Sequence, residues 1–273
     1  MLDKIKSFFG FTRMPFGRDL AAGMLHRHHD HTEAVARIAF GIDSRGITVV
    51  TGEAGAGKTV AARAAVDRVD AARHHLIYIA DPTGGVRGLY QEIVTGLGET
   101  PKFRFATLIA QTRAVLAAEA AERGRTPILL IDEAHILTRD VLEAIRLLTN
   151  HNLDTGAPFA TILLGQPDLS AKMRHGIMAA LDQRVTVRHH MTGMTAEETA
   201  TYIRHHLSLV GRTDTVFSDD AITLIHTYSR GKPRAVNNLA LAALLAARIN
   251  DQPIIDEANA RTAITETTDR TAN

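Results

Sequence analysis

The chain contains no cysteine. That excludes a disulfide framework and any thiolate metal site, and it fits a reducing compartment. Net charge is nearly absent: 31 Lys and Arg against 30 Asp and Glu leave +1. No global basic field draws the protein onto DNA or acidic membranes, so nucleic-acid affinity has to come from a local patch. No stretch reaches ~18 unbroken apolar residues, so no transmembrane helix is expected. The opening MLDKIKSFFGFTRMPFGRDL is interrupted by Lys6, Gly10 and Arg13 and lacks the apolar core of a signal peptide. A cytoplasmic protein is the expectation. Internal repeats and low-complexity segments are missing as well.

What is present suits a folded enzyme. The 273 residues, 45% hydrophobic, allow one large domain or two moderate ones with a real core. ITVVTG (47–52), HLIYIA (75–80), TPILLID (126–132), FATILLG (159–165) and the short VTV (185–187) read as strands. Near-continuous apolar runs suit parallel strands buried on both faces. Helical patterns alternate with them, over about 58–70, 86–97, 105–123 and on to about 150. This alternation predicts right-handed crossovers and a three-layer α/β sandwich. After His190 strand signals stop. Thr195 and Glu198 have the spacing of a capping box, Ser218 opens another helix, and 233–249 and 256–266 have helical spacing. The expected organisation is a linker and first helix over 1–45, an α/β domain over 46–190 and a helical domain over 191–266. A disordered polar tail is expected over 267–273.

Between the first strand and first helix stands Gly52-Glu53-Ala54-Gly55-Ala56-Gly57-Lys58-Thr59. It matches G-x-x-x-x-G-K-[ST] at every fixed position, in the strand-then-helix context that the motif requires. Glycines let backbone N–H groups fold around phosphate oxygens, and the helix through Val60 adds its positive end. Lys58 is expected on the β- and γ-phosphates and Thr59 on Mg²⁺.

ILLIDEAHIL (128–137) follows downstream. An apolar strand ending in an acid, after a phosphate loop, is a Walker B element. Asp132 is expected in the Mg²⁺ shell and Glu133 as the residue that orients or deprotonates water. No Asn-Lys-x-Asp guanine-reading motif follows, so ATP is favoured over GTP. The tetrad Asp132-Glu133-Ala134-His135 also spells the DEAH box of a helicase class. Such a helicase needs a second RecA-like domain, and the remaining, mostly helical residues leave no room for one. His135 is therefore expected to be incidental, with contact to a nucleotide-sensing neighbour as the lesser alternative.

The layout resembles the AAA+ ATPases, a P-loop NTPase domain with a central five-stranded parallel sheet and a helical lid. That resemblance implies three further roles. Gln166 in LLGQPDL is similar to the sensor 1 residue that reads the γ-phosphate, on a strand lying between the phosphate-loop and Walker B strands. Arg184 in LDQRVTV is similar to an arginine finger that reaches a neighbouring subunit. Arg234 in Gly231-Lys-Pro-Arg234 is similar to the sensor 2 arginine. More narrowly, FFGF…PFG, TGEAGAGKT, LLIDEAH, EAIRLLTN, LLGQPDL, DQRVTV and SRGKPR, in this order, resemble the ExeA-like (general secretion pathway protein A) family. That family includes transposition-helper ATPases. His135 stands where the family often has Gln or Asn. The secretion members carry a membrane segment and a wall-binding region after the ATPase, and neither follows here. The resemblance therefore implies a helper of a DDE transposase, which assembles with ATP and Mg²⁺ into a homo-oligomeric ring or filament on double-stranded DNA. An assembly factor for a secretion or envelope complex, without DNA, is the alternative. Gly231-Lys-Pro is also similar to signalling ATPases, but their long sensor repeats are missing.

Other clusters read more plainly. His26-Arg-His-His-Asp-His31 is expected to be a solvated linker rather than a metal site. The pairs at 74–75, 189–190 and 205–206 are expected at the surface. Lys102, Arg104, Arg123 and Arg125 form either a DNA-facing rim or scattered solvated charge. Leu2, Ile5, Phe8 and Phe9 make an apolar face for core or subunit packing.

Overall fold

The computed structural model describes residues 2–17, 20–150 and 157–271. They form two compact units: Thr32–Ala54 with Lys58–Met191, and Met1–His31 with Gly55–Gly57 and Thr192–Asn273.

The first unit is built on five parallel strands: β1 (Ile47–Gly52), β2 (His74–Ile79), β3 (Thr126–Ile131), β4 (Ala160–Gly165) and β5 (Val185–Met191). Their order is β2-β3-β4-β1-β5. β1, β3 and β4 are the inner strands and are buried at every residue, which is why they read as unbroken apolar runs. The edge strands β2 and β5 alternate. Register follows from the two-residue period. Val49 lies beside Leu163, and Leu129 beside Thr161. Val49, Leu129, Ile131 and Leu163 face a core shared with α4 (Gly85–Gly96), α5 (Phe105–Ala121) and α6 (Arg139–Thr149). On the other face lie α2 (His29–Asp43) and α3 (Lys58–Val66). There Gly41 comes so close to β1 that an added Cβ would lie 1.7 Å from the Thr48 hydroxyl. These three layers are the sandwich that the alternating pattern predicts.

In this unit two boundaries differ from the sequence reading by more than two residues. The first helix after the loop, α3, stops at Val66 instead of about 70, since Asp67, Arg68 and Val69 turn out of the helix on short backbone bonds. β5 runs four residues beyond VTV, to Met191, because Arg188, His189 and His190 continue the ladder with β1. Tertiary pairing overrides weak strand propensity there.

The second unit is helical: α9 (Ala196–Ser208), α10 (Asp219–Ser229), α11 (Pro233–Ile249) and α12 (Glu257–Thr271). The expected capping box is formed. Thr195 accepts from the Glu198 N–H at 3.2 Å, and Glu198 accepts from the Thr195 N–H at 2.9 Å. α12 continues past 266 to Thr271, where a disordered tail was expected. Threonines along it donate to carbonyls one turn back, as Thr265 does to Arg261 at 3.1 Å and Thr267 to Ala263 at 2.7 Å. Their hydroxyls are thereby satisfied within the helix. Residues 272–273 of the expected tail lie outside the described residues.

The N-terminal segment up to His31, expected over 1–45 as a linker and first helix, belongs to this helical unit. Ile5 and Phe9 of α1 (Leu2–Phe9), with Phe11 and Phe16, join Tyr202, Ile203, Phe217 and Leu244 in one core. The histidines are a second correction. His28, His31, His189 and His206 are buried. The ring of His26 lies 5.4 Å from that of His205, and that of His206 4.4 Å from Tyr202. The linker is packed at His28 and His31 while Arg27 and His29 are exposed, and no cluster able to hold a metal exists among the described residues.

This packing gives the helical unit a pH signature. Burial, then the His205 charge, lowers His26 to about 4, and the same causes lower His206 to about 4. Burial lowers His28 as well. A base with a depressed pKa stays neutral in the fold while the unfolded chain takes up the proton. Stability is therefore complete above about pH 6.5 and falls as pH drops toward 4. For the buried His206 the slope is about 1.4 kcal/mol per pH unit. Thermal melts at pH 7.5 and 5.0 are expected to show a clear drop, and His206→Phe a smaller one. An equal drop in both proteins would remove His206 as the cause.

Candidate functional site

Everything in the phosphate loop follows from β1 ending at Gly52, below a helix that starts at Lys58. Gly55 and Gly57 have φ of +83° and +99°, a backbone that L side chains rarely adopt. These turns aim successive N–H groups inward, as an anion cradle requires. Lys58 is buried, and its ammonium donates to the carbonyls of Gly52 at 2.8 Å and Glu53 at 3.1 Å. Ala56 is buried, while Glu53, Ala54, Thr59 and Val60 are exposed.

Asp132 follows β3 directly, and its N–H donates to Ile79 O at 2.9 Å. One carboxylate oxygen accepts from the Thr59 hydroxyl at 2.7 Å. The other accepts from the Glu133 N–H at 2.8 Å. Residues 73 positions apart thus meet as a hydroxyl and carboxylate pair, the donor set that suits Mg²⁺ at a nucleotide. The sequence reading missed Tyr78 on neighbouring β2. Burial, then the Asp132 charge and a hydrogen bond to it, pushes the Tyr78 phenol up. The strand pairing that aligns Tyr78 with Leu130 brings it there, and no local motif announces it.

Glu133 is left-handed, with φ +49° and ψ +32°, a strained conformation for a non-glycine residue. Its side chain is 54% exposed, and Oε2 lies 3.3 Å from His135 Nδ1. On its other side His135 Nε2 meets Gln166 Nε2 at 3.1 Å. Gln166 caps α7 (Pro167–Arg174) directly after β4, and β4 lies between β3 and β1. Glu133, His135 and Gln166 therefore form one chain of contacts, with His135 in the middle.

Two predicted residues do not join this group. Arg184 precedes β5, and Val185 pairs with Ile47, at the opposite end of β1 from the loop. Six strand residues separate the two ends, about 20 Å. Arg184 is half-buried and donates to the Thr149 hydroxyl at 3.3 Å. In the helical unit Arg234 is the second residue of α11, after Pro233. Its N–H donates to Gly55 O at 3.3 Å.

The basic residues separate into two groups. Glu119 is fully buried and binds Arg123 at 2.7 Å, Arg125 at 2.6 Å and His75 at 3.3 Å. Burial raises the Glu119 carboxyl, and these cations more than offset it. Arg123 and Arg125 thus reach from the surface to pair with one buried acid. Lys102 and Arg104 instead flank Phe103, which is 88% exposed and lies under the Arg87 guanidinium at 5.6 Å.

Residues 42–173 match a family model described as an AAA domain. The chain is 32% identical over 244 residues to General secretion pathway protein A of Aeromonas hydrophila, covering 88% of this chain and 44% of that protein. It therefore spans less than half the length of that relative. Among solved structures it is similar to the Aeropyrum pernix ORC2 protein in its ADPNP-ADP complexes, with a TM-score of 0.69 at 20% identity, covering 92% of this chain and 70% of the other. It is also similar to the Aeropyrum pernix ORC1 protein in complex with DNA, with a TM-score of 0.69 at 14% identity, covering 92% and 68%. The strand order, the loop and these likenesses agree: the chain has the P-loop AAA-type fold, with a helical C-terminal part.

Proposed function

We propose that the chain is an ATPase that uses ATP to control its own assembly, as a transposition helper on double-stranded DNA. The observation that carries the ATPase part is the Thr59–Asp132 bond, which joins the loop to the Walker B acid. Bound ATP with Mg²⁺ supplies a γ-phosphorus open to attack by water and a divalent charge beside it. Lys58 and the loop N–H groups hold the phosphates, and Thr59 and Asp132 hold the metal. Glu133 orients water and accepts its proton, and Gln166 reads the γ-phosphate. Arg234 keeps the sensor 2 role that the resemblance implies. Arg184, about 20 Å from its own loop, serves a neighbouring copy, so an isolated subunit hydrolyses ATP slowly.

Support for DNA comes from the tip between α4 and α5. Lys102 and Arg104 interleave with exposed Phe103 and Phe105, and a repeating oligomer multiplies such a small patch. The ORC1 relative is described in complex with DNA. The secretion relative supports a second reading, an ATP-dependent assembly factor for a secretion complex. No helix among the described residues is long and apolar enough to cross a membrane.

The test is duplex-DNA binding with ATP·Mg²⁺, with ADP and without nucleotide, reading complex size alongside. ATP-dependent large complexes are expected. The double substitution Lys102→Glu with Arg104→Glu is expected to weaken binding at least about tenfold at low salt and flatten the salt dependence. ATP hydrolysis without DNA association at low salt would discard the DNA reading and favour the secretion one.

A further inference from the structure

His135 is held more tightly than an incidental residue needs. Lys172 Nζ donates to the backbone carbonyls of His135 at 2.6 Å and Leu137 at 2.9 Å. Gly165 approaches so closely that an added Cβ would lie 3.0 Å from the His135 nitrogen. The backbone at His135 is thus braced, and the ring lies between Gln166 at Nε2 and Glu133 at Nδ1. The Nδ1 contact is electrostatic, without the alignment of a full hydrogen bond.

A neutral imidazole has one donor nitrogen and one acceptor. The Gln166 amide nitrogen only donates. Facing Nε2, it makes Nε2 the acceptor and leaves the ring proton on Nδ1, toward the Glu133 carboxylate. If Gln166 turns its amide oxygen to the ring, the roles reverse. Nε2 then donates, and Nδ1 presents a lone pair to the carboxylate, which is repulsive.

We propose that His135 is a positioning residue that transmits the state of Gln166 to Glu133 through its tautomer. The proposal rests on the reading of Gln166 as phosphate sensor and Glu133 as base. A phosphate oxygen accepts hydrogen bonds and cannot donate them. Gln166 turns its NH₂ from the ring to such an anion, which brings its oxygen to Nε2. The ring takes a proton from water at Nε2 and returns one to water from Nδ1, so its charge is unchanged. Glu133 loses its attraction to the ring and is released toward water. With the NH₂ facing the ring, Glu133 is held, which restrains hydrolysis until the sensor is engaged.

The tautomer is directly observable by ¹⁵N NMR of the imidazole nitrogens, with the His135 signals identified by their loss in His135→Asn. Without nucleotide, the Nδ1–H form is expected. Gln166→Glu, whose carboxylate accepts only, is expected to shift it to Nε2–H. ADP·Mg²⁺ with beryllium fluoride, a γ-phosphate mimic, is expected to do the same in the parent protein, and ADP·Mg²⁺ alone not to. In kinetics, His135→Leu is expected to change kcat about tenfold with KM for ATP within about twofold. His135→Asn, which keeps an N–H toward Glu133, is expected to fall between it and the parent. An Nε2–H form without nucleotide, or one tautomer in all these samples, overturns the proposal. Absence of hydrolysis by the parent protein would overturn the ATPase reading, whereas the nucleotide-free spectra test the relay itself.

Discussion

Glu133→Gln lowers ATP turnover at least about a hundredfold and leaves nucleotide affinity within about twofold of the parent. The substitution keeps the side chain's size and removes its negative charge, and with it the capacity to accept a proton. It also spares the local fold. The turn at Glu133 is held by its own N–H on Asp132 Oδ1, at 2.8 Å, and a side-chain change leaves that bond in place. Asp132 and Thr59, the proposed metal ligands, are untouched. ATP-bound assemblies are then expected to persist, because formation is intact and hydrolysis is blocked. Phosphate release, a fluorescent-nucleotide titration and light scattering measure the three quantities. Hydrolysis at the parental rate would show that another group handles the proton.

The second large effect is on stability. Gly231 has φ of +66°, and a Cβ there would lie 1.9 Å from the Met194 carbonyl oxygen. That oxygen cannot rotate away, because it is backbone. The two strands of chain are also bonded, Met194 N–H to Gly231 O at 2.9 Å. Gly231→Ala combines left-handed strain, about 1–2 kcal/mol, with displacement of this crossing. A total of roughly 3 kcal/mol and a Tm lower by on the order of 10 °C are expected. Differential scanning calorimetry measures it. A Tm within about 2 °C of the parent would mean that the crossing adapts more easily than its geometry implies.

The loop and the Walker B acid were legible because their chemistry lies in consecutive residues at fixed spacing. The inner strands were legible because burial on both faces writes itself as an apolar run. The fate of His135 was not. Its partner Gln166 is 31 positions away and meets it only because β4 inserts between β3 and β1. The same holds for Tyr78, brought to Asp132 by pairing of neighbouring strands. The histidine pairs looked polar and so looked solvated, yet His206 packs its ring on Tyr202 and Phe16, as an amphipathic side chain can. The tie of Arg123 and Arg125 to Glu119 was not legible, because that acid sits among Leu108, Thr112, Val115 and Leu116 on the inward side of its helix. For the N-terminal segment, the apolar face of α1 was visible, but which core would take it was not.

Lys58 carries a last consequence. Its ammonium is bonded to the carbonyls of Gly52 and Glu53, so the charge meant for phosphate also braces the loop that cradles it. Removing the lysine therefore has two effects at once: it deletes a counter-charge and it lets the cradle slacken. Loss of affinity in a Lys58→Ala protein is a sum of Coulomb energy and lost preorganisation. The two parts respond differently to salt, since screening weakens only the first. Comparing that variant with the parent across ionic strength would divide the contribution of a charge from the contribution of a shape.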